Sequence, residues 1–462
     1  MYSLDGPRKN AIDTLQEQVG IHFGGINQLR PAHDSHIPIS GLPAELLSEV
    51  FLLVIESGLR NDDTTFATGT FGFRRACKHW NEVAISSPQL WVRWTSGAAK
   101  AWHLFNARSN DAPIFLTLRP QLHGSTRDTL MNPTVPRRIR QLDFSGDREQ
   151  SVHLLGALDP PSNASSIRLH ITPYQGYGRQ PQGHLTRFLS SSFQKLSKLD
   201  LKNFLPDFSS PIFTTSNLVS LKLEIPHTSA GRYTGFQFSQ ILQRHPNLQE
   251  LDLKEGAMPR IEKSGAAPVP VVLPQLVNLI LDGVDPVIAR LMDHISMSSP
   301  LHNVDIHFQH TTYPSSDPAL YSTIKEIVTS YYACQGLVYP RTADHLTISG
   351  LGRSLVFNAQ SHPSSISYPT FNLKIRLDGV HGLERICLSF PLDHVREFTA
   401  SGFRCSMGSY YQILQKMESL LHLRLYNLDI EPVLDVLSFD EQFDGAHEKA
   451  METTLDILHA YR

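Results

Sequence analysis

From residue 139 onward the chain keeps returning to one triplet of apolar residues, at positions i, i+3 and i+5. It stands at Ile139/Leu142/Phe144, Leu196/Leu199/Leu201, Leu218/Leu221/Leu223, Leu248/Leu251/Leu253, Leu276/Leu279/Leu281, Leu301/Val304/Ile306 and Leu420/Leu423/Leu425. The middle positions 199, 221, 251, 279 and 304 lie 22, 30, 28 and 25 residues apart. The last two members of each triplet flank a polar residue, except at Leu279-Ile280-Leu281, which predicts a short strand with one apolar face. Helix-like runs at 236–242 and 287–292 fill two of the intervals. A unit of one strand and one helix cannot bury its apolar face alone. It must stack on its neighbours, so the period demands a repeat array.

The array is uneven. The stretch 307–345 carries no clear triplet, although 331–334 suits a helix. Residues 355–377 hold two short apolar runs around a Ser/Pro-rich loop and read as an inserted hairpin. A further repeat centres on 395–398, and 451–461 reads as a closing helix that caps the end.

Composition narrows the classes of function. Among 462 residues, 41% are hydrophobic and 18% charged, the balance of a folded chain rather than a disordered one. A formal net charge of −3 supplies no field for nucleic acid or an anionic membrane. With no apolar run of 18 residues and no basic-then-apolar leader, neither a membrane span nor a secretory signal is expected. Cys77, Cys334, Cys387 and Cys405 are scattered, a reduced, intracellular pattern compatible with cytoplasm or nucleus. No G-x-S-x-G, G-x-x-x-x-G-K-[ST], H-E-x-x-H or G-x-G-x-x-G is present, so the expectation is a non-enzyme without cofactor or metal. Cys77 and His79 lie two apart on a predicted helix and diverge, so they do not begin a zinc site.

Ahead of the array, residues 11–29 suit a short amphipathic helix, with Ile12, Leu15, Val19, Ile26 and Leu29 as its apolar positions, and 31–38 read as a linker. A helix then starts at Pro43, where a missing N–H costs nothing. Leu46, Leu47, Val50, Phe51 and Val54 form one stripe, while Leu52, Leu53 and Ile55 fill the other faces. A helix apolar all round has to be buried all round. A body of about 55 residues has little interior to offer, so the surplus calls for a second burial surface. Residues 56–72 read as a loop. A second helix places Phe73, Ala76, Cys77, Trp80 and Ala84 on one face, and Ser87-Pro88 ends it before Leu90 and Trp91.

The blocks Leu42-Pro43-x-Glu45-Leu46-Leu47-x-Glu49-Val50-Phe51, Ala76-Cys77-Lys78-x-Trp80 and Ser87-Pro88-x-Leu90-Trp91, in that order, resemble an F-box. The chain is most similar to fungal F-box-like proteins that carry divergent leucine-rich repeats. The resemblance implies an α/β protein: a small all-α F-box, then an irregular leucine-rich-repeat solenoid with parallel strands inside and helices outside. Its parts would be an N-terminal helix and linker at 1–36, the box at 37–95, and the repeats with a helical cap at 96–462. It further implies the substrate-recognition subunit of a Skp–cullin–F-box ubiquitin ligase. Leu42, Pro43, Leu46, Leu47, Val50 and Phe51 would bind the Skp-type adaptor and hence the cullin complex. Trp80, Leu90 and Trp91 would either touch the adaptor or hold the box together. An interaction scaffold outside any ligase, its box capping the solenoid's apolar end, is the other reading. The family pattern wants an Asn three places after the last leucine of a repeat, whereas Asn203 and Asn427 come two places after.

The repeats would present the target-binding side. Between the inward leucines, residues point to the opposite face. Across successive strands the first such row reads Asp200, Lys222, Asp252, Ile280, Asp305, and the second Lys202, Glu224, Lys254, Asp282, His307. Signs alternate, broken at Ile280. A ladder of cross-strand ion pairs explains this alternation, and a recognition surface for a protein target uses the same residues. A uniformly basic groove for nucleic acid is disfavoured.

Overall fold

The computed structural model describes residues 42–59, 74–119, 130–172, 188–225, 234–257, 270–309, 345–360, 372–378 and 386–426, with short gaps, and a few positions between 322 and 328. The predicted helices at 11–29, 331–334 and 451–461 and the linker at 31–38 lie outside the described residues, as do Cys334 and Asn427. The chain is an α/β protein of two compact units. Unit 1 comprises Met1–Ala164 with Gly176–Phe188, and unit 2 comprises Ser165–Gln175 with Leu189–Arg462.

Unit 1 begins with helix α1 (Ala44–Leu59), whose first turn carries Glu45, the sign favoured at a helix N-terminus. The helix runs through 56–59, which the sequence pattern assigns to a loop, because the apolar period continues to Leu59. Helix α2 (Lys78–Ser86) starts after Cys77, whose side-chain sulfur caps it by accepting the Trp80 amide at 3.4 Å. A 3₁₀ turn at Pro88–Trp91 leads to β1 (Arg93–Thr95), helix α3 (Trp102–Arg108), β2 (Ile114–Leu118), β3 (Ile139–Gly146) and helix α4 (Arg148–Ala157). The three strands are parallel in the order β1-β2-β3.

The core of this unit is aromatic. Trp91, Trp94 and Trp102 are fully enclosed, and each indole N–H donates to a backbone carbonyl, of Ala84 at 2.7 Å, Trp91 at 2.9 Å and Thr95 at 2.9 Å. These three buried indoles therefore leave no orphan donor. Trp91 stands edge-on to Phe105 at 5.4 Å, and the Arg108 guanidinium lies 5.0 Å over the Trp91 ring. Helix α1 is joined to the end of α2 by a buried hydrogen bond between the Ser48 and Ser87 hydroxyls at 2.7 Å.

Unit 2 is built on strands β4 (Ser166–Ile171), β5 (Lys198–Lys202), β6 (Ser220–Ile225), β7 (Glu250–Glu255), β8 (Asn278–Val284) and β9 (Asn303–Gln309), all parallel and adjacent in that order. Leu199, Leu221, Leu251, Leu279 and Val304 fall in one register row, and Leu201, Leu223, Leu253, Leu281 and Ile306 in the next; all are buried. One hydrogen-bond device repeats at the entrance to each strand. A single carbonyl accepts the amides of two successive residues in the following repeat: Ser165 from Ser197 and Lys198, Ser197 from Val219 and Ser220, Val219 from Gln249 and Glu250, Gln249 from Val277 and Asn278, Val277 from His302 and Asn303. That device fixes the offset between repeats before any side chain is considered. Asn203 takes a left-handed backbone (φ 58°) just past β5, a conformation Asn tolerates better than most residues, and its amide reaches the Glu224 carbonyl at 2.6 Å.

Helices pack on the leucine side. Helix α5 (Gly235–Arg244) is closed by a capping box in which Thr234 and Gln237 satisfy each other's backbone amides, and it buries Phe238, Ile241 and Leu242. Positions 288 and 291 of the second predicted run are helical and buried, and the rest of 287–292 lies outside the described residues.

The expectation of parallel strands throughout needs correction beyond β9. Strands β10 (His345–Leu351), β11 (Ser354–Gln360) and β12 (Asn372–Asp378) form an antiparallel meander, so the inserted hairpin is one part of a three-stranded insert. The last of the three in the chain, β12, pairs parallel with β9. The first, β10, pairs parallel with β13 (Glu397–Ser401), which covers the repeat read at 395–398. Helix α6 (Met407–Gln415) and strand β14 (His422–Tyr426), parallel to β13, complete the described chain.

Candidate interaction surfaces

Helix α1 divides its apolar residues between two sides. Leu47, Phe51 and Ile55, spaced four apart, face the core of unit 1, with Phe51 tilted against Trp80 at 5.3 Å between ring centres. Leu46, Leu53 and Val54 remain 48%, 65% and 45% exposed. Pro43 is exposed too, and Leu42, Val50 and Leu52 are half-buried. The buried set shares Leu47 and Phe51 with the stripe read in the sequence, and its centre is turned from that of the stripe by roughly 70° on a helix of 3.6 residues per turn. Of the residues expected to meet an adaptor, Leu47, Phe51, Leu90 and Trp91 are therefore enclosed within unit 1. Leu42, Pro43, Leu46 and Val50 lie at its surface, and Trp80 is half-buried with its Nε1 lacking a hydrogen-bond partner. Leu53 and Val54 complete the exposed side.

The second surface is the polar face of the unit 2 sheet. The register brings the two expected rows together: Asp200 opposite Lys222 and Lys202 opposite Glu224; Lys222 opposite Asp252 and Glu224 opposite Lys254; Asp252 opposite Ile280 and Lys254 opposite Asp282; Ile280 opposite Asp305 and Asp282 opposite His307. Not every in-register pair closes as an ion pair. Lys202 Nζ meets Glu224 at 2.7 Å, and His307 Nδ1 lies 3.1 Å from Asp282. Lys222 turns instead to Glu250, at 2.6 Å, and Asp200 is held from the other side by Arg168 and His170, each at 3.0 Å. Arg168 stands in register with Asp200, whereas His170 and Glu250 join the surface by reach along diagonals.

These contacts set the acidities. Burial pushes the Asp200 carboxyl up, but hydrogen bonds and charge from His170 and Arg168 outweigh it and hold the group below the ordinary value. Glu250 is lowered the same way, with burial overcome by hydrogen bonds from Lys222 and Ser220 and by the charges of Lys222 and Lys198. Asp252 goes the other way. Burial raises it, and Lys254 and Lys222 only partly offset this.

One residue behind this face was not singled out by its sequence. His245 is fully buried; its Nε2 lies 3.0 Å from the Phe213 carbonyl and its Nδ1 3.4 Å from the Leu218 amide. Donating from Nε2 and accepting at Nδ1 requires the neutral ring, and burial lowers its pKa below the ordinary 6.5. Below about pH 6.5 the unfolded chain gains a proton here that the folded chain does not. Unit 2 is therefore expected to lose stability as pH falls from about 6.5 toward the lowered folded value. Thermal melts of the parent and of His245→Asn between about pH 7.5 and 5.5 check this. The variant should show a flatter dependence, and parallel curves would refute the account.

Among the described residues no group of three His, Cys, Asp or Glu side chains is placed to hold a metal, and no helix is long and apolar enough to cross a membrane. Cys77 stands at the cap of α2, and Cys387 is buried. No family model matches the chain, and no curated protein matches it.

Proposed function

We propose that the chain is the target-selecting subunit of a Skp–cullin–F-box ubiquitin ligase, acting inside the cell. The exposed side of α1 docks a Skp-type adaptor and the polar sheet face of unit 2 binds a protein target. One observation carries the first half: Leu46, Leu53 and Val54 stand in water on a helix whose opposite side is already packed. An amphipathic helix with its outer side apolar suits the helix-in-groove mode of recognition. Each large apolar side chain moved from water into such a groove contributes about 1.5–3 kcal/mol. Leu42, Pro43 and Val50 flank this side, while Leu47, Phe51, Leu90 and Trp91 hold the helix in place. The scaffold alternative, in which the box only caps the solenoid, would use up that apolar surplus within the chain; the exposure of α1 argues against it.

In this reading the protein performs no covalent step. It raises the local concentration of target beside the ubiquitin-charged enzyme, which is catalysis by proximity. The test is co-expression of the full chain with a fungal Skp-type adaptor. Leu46→Asp with Leu53→Asp should leave the melting temperature near that of the parent and weaken capture by about thirtyfold or more, the effect of losing central apolar anchors. Unchanged co-purification would reject the docking surface.

A further inference from the structure

Among the described residues of the unit 2 polar face, Asp252 is a nearly enclosed carboxylate with one loosely held counter-ion and one oxygen unbonded. Ile280 has an aspartate in register on each side, Asp252 on β7 and Asp305 on β9. Lys222, the cation that register sets beside Asp252, is committed to Glu250 at 2.6 Å. Lys254, two residues along the same strand, approaches Asp252 Oδ2 only to 3.5 Å. The Asp252 side chain is 9% exposed, and its Oδ1 has no hydrogen-bond partner. Asp305 is placed differently, because Lys374 of β12 stands in register on its far side.

A carboxylate buried to that degree with one oxygen unsatisfied is costly, and a cation that takes the place of Lys254 and reaches both oxygens, where Lys254 meets only Oδ2, would relieve the cost. Beside it, Ile280 interrupts the charged row with a half-buried aliphatic surface. Adjacent strands are about 4.8 Å apart, a gap that a lysine or arginine stem spans. Those side chains have the two parts this place asks for: methylenes that cover apolar surface and a charged head that binds a carboxylate.

Resting on the reading of this face as the target surface, we propose that the target presents a lysine- or arginine-bearing segment, its stem lying on Ile280 and its head on the Asp252 carboxylate. The incoming cation displaces the Lys254 ammonium, whose side chain is 38% exposed. The ligand class is a basic peptide segment.

The test pans a phage-displayed random dodecamer library on the full-length chain, then measures synthetic copies of the enriched peptides. Enriched peptides should share a Lys or Arg whose replacement by Gln weakens binding by about tenfold, and Asp252→Asn should weaken it by a similar factor. Ile280→Ser, which leaves the carboxylate in place, should weaken it by a smaller factor and guards against a folding defect in the first variant. No enrichment, peptides that need no cation, or equal binding to the Asp252→Asn and Ile280→Ser chains would overturn the proposal. If loss instead follows Lys202→Met or Glu224→Gln while Asp252→Asn binds like the parent, the face remains a target surface and this site does not. Equal binding to all four variants removes both.

Discussion

Asp252→Lys is expected to be the most damaging single charge change in unit 2. It places a third ammonium between Lys222, its in-register neighbour, and Lys254 on the same strand. The side chain it replaces is nine-tenths buried, so the new charge has little water to lean on. Leaving an uncompensated charge at a buried ion-pair position costs about 3–5 kcal/mol, and like charges directly opposite each other in a sheet add to that. In a unit of this size the melting temperature should fall by roughly ten degrees. Asp252→Asn behaves otherwise: burial already opposes the charge of the native carboxylate, so removing the charge should be close to neutral for stability. Far-UV circular dichroism melts of the two variants at low salt, repeated at about 1 M salt, check the argument. Screening restores only part of the loss because the position is dry. An Asp252→Lys chain melting within a degree or two of the parent would mean that residue 252 is not enclosed between those lysines.

The rows of this sheet were legible because two periods coincide. Leucine spacing marks the strands, and the repeated double acceptance by one carbonyl gives each strand the same offset from the last. The charges between the leucines therefore line up as the alternation suggests. The strands that escaped the triplet reading show what the signal needs. Strand β4 has Ile167 and Leu169 in the usual places, but the first member is Ala164, which is fully buried yet too small to register as an apolar mark. Before β2 the first position is Asp111, with only Ile114, Leu116 and Leu118 alternating, whereas the repeat read at 395–398 keeps Val395 and Phe398 and has Ala400 as its small third member. The antiparallel pairing of β10 with β11 begins at Leu351 opposite Ser354, and the sequence between them is Gly-Arg, two residues with Gly first. That is a hairpin signal in its own right, but the long-range choice of β12 beside β9 and β10 beside β13 is written nowhere locally. Nor is the rotation of α1. With Leu52, Leu53 and Ile55 completing the circumference, hydrophobicity alone does not say which side turns inward. The tie is broken by Ser48, whose hydroxyl bonds Ser87, and by Phe51 meeting Trp80. The partner choice of Lys222 was likewise beyond pattern, because a long side chain selects among carboxylates by reach.

That inward and outward division of α1 makes a second large prediction, in which two substitutions five residues apart fail for different reasons. Phe51 is 1% exposed and packs on Trp80, so Phe51→Ala removes a ring from an enclosed site. The lost transfer energy together with the cavity left behind costs about 3–5 kcal/mol, enough to bring a marginal unit near its unfolding midpoint. Leu46 is nearly half exposed, and Leu46→Asp costs the fold little because the carboxylate stays in water. All four tryptophans of the chain, Trp80, Trp91, Trp94 and Trp102, lie in unit 1, so intrinsic fluorescence follows that unit. Phe51→Ala should shift the fluorescence-detected melt downward by about ten degrees and lose adaptor capture only to the extent that the unit unfolds. Leu46→Asp should leave that melt in place and still lose capture. A Phe51→Ala chain with an unshifted melt would place the ring outside the core. Loss of capture in both variants with equal destabilisation would turn the exposed side of α1 from a docking surface into part of the fold.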